Sequence, residues 1–274
     1  MHPLLIAQLT DPHVVVPGTD EELFVDNNER LANAVRQVNQ ESPQMSAVLA
    51  TGDLTNWGHP AEYEALASLL QPLAVPILAI PGNHDDRDLL RATFPDLPWV
   101  DAGHASWSMV IEGAGASSVR IVGLDSTIPG EPGAEFDLER EEWLRETLDD
   151  QSEDPTILAV HHPPFITGIG WMDGSGFIGL DRLAAVLTEY PVDRIVCGHV
   201  HRPITSSIAG IPAQVGLSTV QHIDLDLTPD AGVSLIHEPV GYQILLVSDS
   251  GIVMHTRYTE TGESPFVPSW AAEF

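Results

Sequence analysis

The chain has no lysine, and its 11 basic residues, all arginine, stand against 40 acidic ones. A formal charge of -29 argues against a nucleic-acid polymer or an anionic membrane as partner, since both are held by clustered Lys and Arg. The acidic excess reads as a solvated surface that keeps the protein soluble. A small anionic substrate still fits if a local positive centre, such as metal ions, overrides that field. The lone cysteine, Cys197, excludes an intrachain disulfide and suits a reducing compartment. No basic leader opens the chain, and the apolar run Leu4 to Ala7 is too short for a signal-peptide core. No apolar stretch approaches the roughly 18 residues a membrane helix needs. The expectation is a soluble, cytoplasmic protein without membrane insertion.

Apolar residues make up 43% of the 274 positions and charged ones 19%, enough to build a buried core and too apolar for a disordered chain. Continuous runs rich in Val, Ile and Leu at Leu4–Leu9, Ala47–Ala50, Ile77–Ile80, Val119–Leu124, Thr156–Val160 and Arg194–Cys197 read as strands buried on both faces. Between them, Leu31, Ala34, Val35 and Val38, and again Leu183, Val186, Leu187 and Tyr190, repeat at helical spacing. Further helices are expected over Pro60–Leu70 and Glu139–Asp149. After Cys197 the helices stop. Ile204–Ile208, Ile211–Val215, Tyr242–Val247 and Ile252–Tyr258 read as strands, with hairpin turns at Ala209-Gly210 and Ser250-Gly251. Parallel units followed by an antiparallel finish predict an α/β fold. One domain is expected over residues 1–262. The Pro-containing tail, 263–274, is read as a loose arm or as a subunit contact in a homo-oligomer.

The polar residues that carry chemistry follow the expected strands. Asp11 and His13 lie after the first, Asp53 after the second, Asn83, His84 and Asp85 after the third, His161 and His162 after Val160, and His199 and His201 after Cys197. Ligands of open α/β sheets bind beyond the carboxyl ends of strands, so these turns should converge. Gly52, Gly82 and Gly198 let the main chain turn sharply and leave room beside it. Carboxylate, imidazole and amide oxygen together favour Mn, Fe, Zn or Co over Ca, and the lack of thiolates argues against a structural zinc knot. The set Asp11, His13, Asp53, Asn83, His161, His199 and His201 exceeds what one tetrahedral ion uses, whereas two ions sharing a carboxylate use it fully. Paired ions about 3.5–4 Å apart, holding a water-derived nucleophile, are a device for in-line attack on phosphorus.

The ordered blocks Asp-x-His, Gly-Asp, Gly-Asn-His-Asp, His and Gly-His-x-His resemble the calcineurin-like metallophosphoesterase superfamily. Gly82-Asn83-His84-Asp85-Asp86, His161-His162-Pro163-Pro164, and Met172-Asp173 ahead of a helix leading to Cys197-Gly198-His199 resemble its bacterial class III cyclic-nucleotide phosphodiesterases and glycerophosphodiesterases. The resemblance covers most of residues 4–225. It implies a four-layer α-β-β-α sandwich of two mixed sheets flanked by helices, with the site at the sheets' upper edge. One ion would be held by Asp11, His13, Asp53 and His201, the other by Asp53, Asn83, His161 and His199, with Asp53 shared. It also implies hydrolysis of small anionic phosphodiesters, cyclic nucleotides such as cAMP or glycerophosphodiesters, by in-line attack of a metal-held hydroxide. Asp53 and Asn83 would serve catalysis as ligands, and His84 would meet the phosphoryl oxygen or protonate the leaving alkoxide. The alternatives are a broad phosphomonoesterase of the same superfamily and, more distantly, a metal-poor scaffold that binds proteins.

Around this centre, His162 is expected to support the ligands or to pack rather than ligate, since His161 matches the ligand position. Asp85 and Asp86 are expected to orient His84 or to cap the next helix, and Asp125 to support the loops. His222 and His237 lie outside the motifs, and Cys197 is assigned to the core. The apolar stretch Phe165–Ile178, with Trp171 and Met172, reads as a lid or pocket wall, or else as a subunit contact. Val14–Asp26, with Phe24, is a second candidate wall.

Overall fold

The computed structural model describes residues 3–19, 26–41, 45–113, 118–149, 154–228 and 230–260. Phe24 and the tail 263–274 lie outside the described residues.

Strands β1 (Leu4–Leu9), β2 (Met45–Thr51) and β3 (Ile77–Ile80) run parallel, and β15 (Gly241–Ser248) and β16 (Gly251–Tyr258) add antiparallel to the free edge of β1. The order of this first sheet is β16-β15-β1-β2-β3. The second sheet runs β11-β12-β10-β8-β5-β4, from strands Ile204–Ile208, Ile211–Val215, Arg194–Cys197, Thr156–Val160, Ser118–Leu124 and Trp107–Glu112 respectively. Both sheets are mixed: β10 pairs parallel with β8 and β12, while β4 and β11 close the edges antiparallel. Short pairings are made by β6 (Thr127–Ile128), β7 (Glu131–Glu135) and β9 (Phe177–Ile178), and by β13 (His222–Ile223) with β14 (Leu235–Ile236).

The strand runs are continuous rather than alternating because both faces of each central strand are covered. In β8, Ile157 and Ala159 join the cluster between the sheets, while Leu158 and Val160 pack outward. Helix α1 (Asn27–Glu41) lays Leu31, Ala34, Val35 and Val38 on the first sheet. Helix α2 (Pro60–Leu70) adds Tyr63, Leu66 and Leu70, and starts at a proline in its first turn. On the far side, α4 (Leu138–Asp149) contributes Leu144 and Leu148, and α6 (Leu180–Glu189) contributes Leu183, Val186 and Leu187. The result is the α-β-β-α layering that the resemblance implied.

Several elements leave no clear mark in the sequence, the short strands β6, β7, β9, β13 and β14 among them. Helix α3 (Arg87–Thr93) is only seven residues long, too short to show a periodic face, and α5 (Gly170–Asp173) is a single turn. Strand β4 was missed because its burial alternates irregularly along a sheet edge. Its Trp107 is fully buried and donates its indole N–H to Ala79 O at 2.7 Å, tying the second sheet to β3 of the first. Gln8 makes a similar tie beneath the strand ends: its amide donates to Thr51 Oγ1 (3.0 Å) and to Cys197 O (2.9 Å).

Candidate metal centre

The carboxyl ends of β1, β2 and β3 deliver Asp11, His13, Asp53 and Asn83, and those of β8 and β10 deliver His161, His199 and His201. To turn these side chains toward one point the main chain leaves extended geometry abruptly. Asp11, His13, Asp53, His199 and His201 all have positive φ, between 42° and 72°, in the left-handed region that non-glycine residues enter rarely and at a cost. Neighbouring turns hold one another in place. Asp11 N–H donates to Gly52 O (3.1 Å), His13 N–H to Asp53 O (3.0 Å) and Gly198 N–H to His161 O (2.9 Å). The glycines clear the space between them. A Cβ on Gly82 would stand 2.1 Å from Asp53 Oδ1, and one on Gly198 2.2 Å from Thr10 Oγ1.

Two groups of donors result. In the first, Asp11, His13, Asp53 and His201 bring one donor atom each within 4.8 Å of one another. His13 Nε2 lies 3.0 Å from His201 Nε2 and 3.6 Å from Asp53 Oδ2, and His201 Nε2 lies 3.7 Å from Asp11 Oδ1. In the second, Asp53 Oδ1 stands 3.4 Å from His161 Nε2, and His199 Nδ1 stands 3.0 Å from Asn83 Oδ1. Asp53 thus presents one oxygen to each group. The outer nitrogens are fixed by main-chain carbonyls: His161 Nδ1 donates to Thr51 O and His201 Nδ1 to Gln221 O, each at 2.8 Å. Such bonds set the tautomer and aim Nε2 inward. Asp11 is held by Thr10 Oγ1–H (2.7 Å) and by the His199 N–H (2.8 Å).

The donor set fits metal ions. Two ligands of one four-coordinate ion, each about 2.0–2.1 Å from it, stand roughly 3.3 Å apart, and the spacings above bracket that value. His162 Nε2 is buried without a hydrogen-bond partner, and His161 Nε2 meets the Asp53 carboxylate only at 3.4 Å, outside hydrogen-bond geometry, which is costly unless something else meets them. Burial holds His13 and His199 neutral, His199 at about 3 and His13 well below the usual imidazole range, which leaves lone pairs ready for a cation. At His161 burial also lowers the pKa, but the Asp53 carboxylate outweighs it and raises the value to about 9. The same contacts overcome burial at Asp53 and hold it well below the carboxylate range. Two carboxylates and several imidazoles packed this closely are ill-matched to anything but a cation.

His84 lies at the edge of the centre. Its Nδ1–H donates to Asn56 O at 2.7 Å, its N–H donates to Asp53 Oδ1 at 3.0 Å, and its ring meets that of His13 edge-on at 4.7 Å. Asp85 and Asp86 do not orient it. Asp86 caps α3 through the N–H groups of Asp88 and Leu89, and Asp85 accepts from Gly82, Leu54 and Thr55 N–H, clasping the β2 and β3 turns together. Burial, with the Asp53 charge added, raises Asp85 to about 6. Asp125 supports the loops as expected, accepting from Ala105 and Thr127 N–H and pairing with Arg87 at 2.6 Å.

His162 lies against the second donor group. Its Nδ1 meets Ser126 Oγ at 2.8 Å, and its nitrogens fall with those of His161 and His199 within 4.8 Å. Along the Phe165–Ile178 stretch, Phe165, Met172 and Phe177 line a small pocket with His162 and His199. Trp171 is 55% exposed and does not line it. Val14 and Val15 belong to the core and not to a wall, because Val14 bridges to Thr55. Cys197 is buried, and burial pushes its thiol pKa up. His222 sits against Glu238. The sequence reading passed over Asn56, whose carbonyl fixes His84, and Gln221, whose carbonyl fixes His201, because a main-chain acceptor leaves no mark in residue type. It also passed over Trp57.

Two mixed sheets with Asp, Asn and His converging at their shared edge define a metallophosphoesterase. The chain belongs to the Calcineurin-like phosphoesterase family, which matches residues 4–203. It is 33% identical over 266 residues, 96% of each chain, to a probable glycerophosphodiester phosphodiesterase, GpdQ, of Arcobacter nitrofigilis. It is 34% identical to a probable cyclic nucleotide phosphodiesterase of Rhodopseudomonas palustris, covering 90% of this chain and 89% of that one. Among solved structures, the yellow lupin purple acid phosphatase PPD1 superposes with a TM-score of 0.67 at 16% identity, covering 95% of this chain and 52% of that one. GAP50 of Plasmodium, the anchor in the inner membrane complex, gives 0.68 at 12% identity, covering 96% and 87%. These likenesses show the fold. Among the described residues no helix is long and apolar enough to cross a membrane.

Proposed function

We propose that the protein is a binuclear metal-dependent phosphodiesterase acting on small diesters, 3',5'-cyclic nucleotides or glycerophosphodiesters. The observation that carries this is the position of Asp53, one carboxylate oxygen toward His13 and the other toward His161, at the meeting point of two otherwise separate donor groups. The two substrate classes are those named for the relatives. In this reading Asp11, His13, Asp53 and His201 hold one ion, and Asp53, Asn83, His161 and His199 hold the other. The donors suit Mn, Fe, Zn or Co. Bound there, the ions would supply positive charge for the phosphoryl oxygens and a depressed pKa for a water molecule.

The chain's own groups do the rest. Asn56 O can only accept, so the His84 Nδ1 keeps its proton and Nε2 is the nitrogen available to substrate. The imidazolium form gives its Nε2 proton to the departing alkoxide, and a fixed ring loses no orientation in doing so. Asp53 holds the His84 main chain through its N–H, so the acid and the metal centre move as one unit. His162 and Ser126 close the back of the second donor group.

The test is turnover by the Mn-loaded protein on an aryl phosphodiester, an aryl monoester, 3',5'-cAMP, 2',3'-cAMP and a glycerophosphodiester. Diesters are expected to turn over fastest. No diester turnover with two equivalents of Mn bound would sink the reading, and faster monoester turnover would replace it with a phosphomonoesterase.

A further inference from the structure

A cleft of about 540 Å³ opens beside Asn83 and His84. Its cationic residues are already engaged. Arg87 pairs with Asp125 and donates to Gly103 O and Thr127 O, and Arg91 donates to His104 O. Arg87 is thus neutralised by Asp125, and Asp86 and Asp88 among the lining residues oppose a second phosphate. Ile128 and Pro129 supply apolar surface.

Among the described lining residues Trp57 is the one indole or phenyl ring, and it is 57% exposed. Its main chain is firmly held nonetheless. Trp57 N–H and His59 N–H both donate to Glu62 Oε2 at 3.0 Å, and Asn56 N–H donates to Val14 O at 3.0 Å. Gly58 follows with φ +68°, and a Cβ there would stand 3.1 Å from His84 O. The loop is thus pressed against the turn that carries His84. The His84 ring lies 4.7 Å from the His13 ring and 6.5 Å from that of Trp57, centroid to centroid.

Building on the phosphodiesterase reading, we infer that Trp57 is a stacking platform for a nucleobase, so that the preferred substrate is a nucleotide diester rather than a glycerol diester. With the phosphate at the metals and the leaving oxygen at His84, the group one sugar further out meets the indole face. A base has a π-face to stack on it; glycerol has none. A quaternary ammonium headgroup is the other ligand an indole recognises, but it takes a cage of several rings, and among the described residues this cleft offers a single indole.

The test compares the Mn-loaded full chain with Trp57→Ala and Trp57→Phe on 3',5'-cAMP and on glycerophosphocholine. Stacking of one base is worth roughly 5- to 150-fold in binding. Trp57→Ala is expected to lower kcat/KM for cAMP at least about tenfold, chiefly through KM, to leave glycerophosphocholine within about twofold, and to leave Mn content and Tm unchanged. Trp57→Phe is expected to recover most of the loss. An equal fall on both substrates, a fall confined to glycerophosphocholine, or no fall on cAMP overturns the platform. A wild-type enzyme that cleaves glycerophosphocholine but no nucleotide overturns it too and leaves the phosphodiesterase reading standing; one that cleaves neither overturns both.

Discussion

Replacing Gly82 with alanine tests whether the space beside Asp53 is as tight as the geometry says. The added Cβ would lie 2.1 Å from Asp53 Oδ1 and 2.2 Å from Asp53 N. The first contact is with a side chain, but the second is with main chain already fixed by the β2 turn, so no rotamer change relieves both. The φ of Gly82 is not in the positive range, which makes the cost one of overpacking alone, about 2–3 kcal/mol. For a protein of this size that lowers Tm by roughly 5–10 °C. Gly130 is the control, with φ +80° and nothing within 4 Å of an added Cβ. Gly130→Ala carries only the left-handed penalty, about 1 kcal/mol. Thermal melts of both variants, with EDTA and with saturating Mn, make the comparison. Displacing Asp53 strikes both donor groups, so Gly82→Ala should also gain less from Mn than wild type does. A Gly82→Ala protein that melts within about 2 °C of wild type and binds the same Mn equivalents would refute the reasoning.

Asn83→Ala removes the amide oxygen beside His199 and is expected to leave one tightly bound Mn per chain, by elemental analysis, with diester turnover down about a hundredfold or more. His84→Ala is expected to slow cleavage of an alkyl diester by roughly 10²–10⁴-fold and of a p-nitrophenyl diester far less, because that leaving group needs no proton; leaving-group dependence of kcat reads this out. Mn at a hundred times its Kd is expected to stabilise the fold by about 2.7 kcal/mol per independent site, which EDTA should abolish in calorimetry. Trp107→Ala, far from the chemistry, is expected to cost about 3–5 kcal/mol in urea unfolding, since it empties a fully buried site and orphans Ala79 O.

Most of what is legible in the sequence is legible because the central strands are covered on both faces. Ile77–Ile80, Thr156–Val160 and Arg194–Cys197 show as unbroken apolar runs with a sharp polar stop, and the structure has those same bounds. The polar stop is also where the donors sit, so strand ends and candidate ligands were read off together. Elements at the periphery lack that signature. Trp107–Glu112 is an edge strand of mixed exposure, and α3 is two turns long with Leu90 as its buried residue. The sequence places His162 beside the ligands rather than among them because His161 fills the ligand block, and adjacent residues of a strand would point to opposite sides. Here the chain has left the strand, and both rings reach the same region, with centroids 4.9 Å apart. Trp57 gave no periodic signal at all, being a single aromatic in a loop.

The centre also explains why the two sheets are tied where they are. Asp11, His13, Asp53 and Asn83 come from the first sheet, and His161, His199 and His201 from the second. Neither proposed ion is held by one sheet alone: the first needs His201, and the second needs Asp53 and Asn83. Any slip between the sheets would therefore pull both donor groups apart, and the left-handed turns at five of the donors leave little slack to follow it. Gln8 stops such a slip close to its point of effect. It is fully buried, it sits three residues before Asp11, and its amide bridges Thr51 on β2 and Cys197 O on β10. Those are the strands that run directly into Asp53 and His199. A buried amide is a costly way to fill a core position, and an apolar residue would pack there without directional bonds. The amide fixes register, and register is what a metal centre shared between two sheets requires.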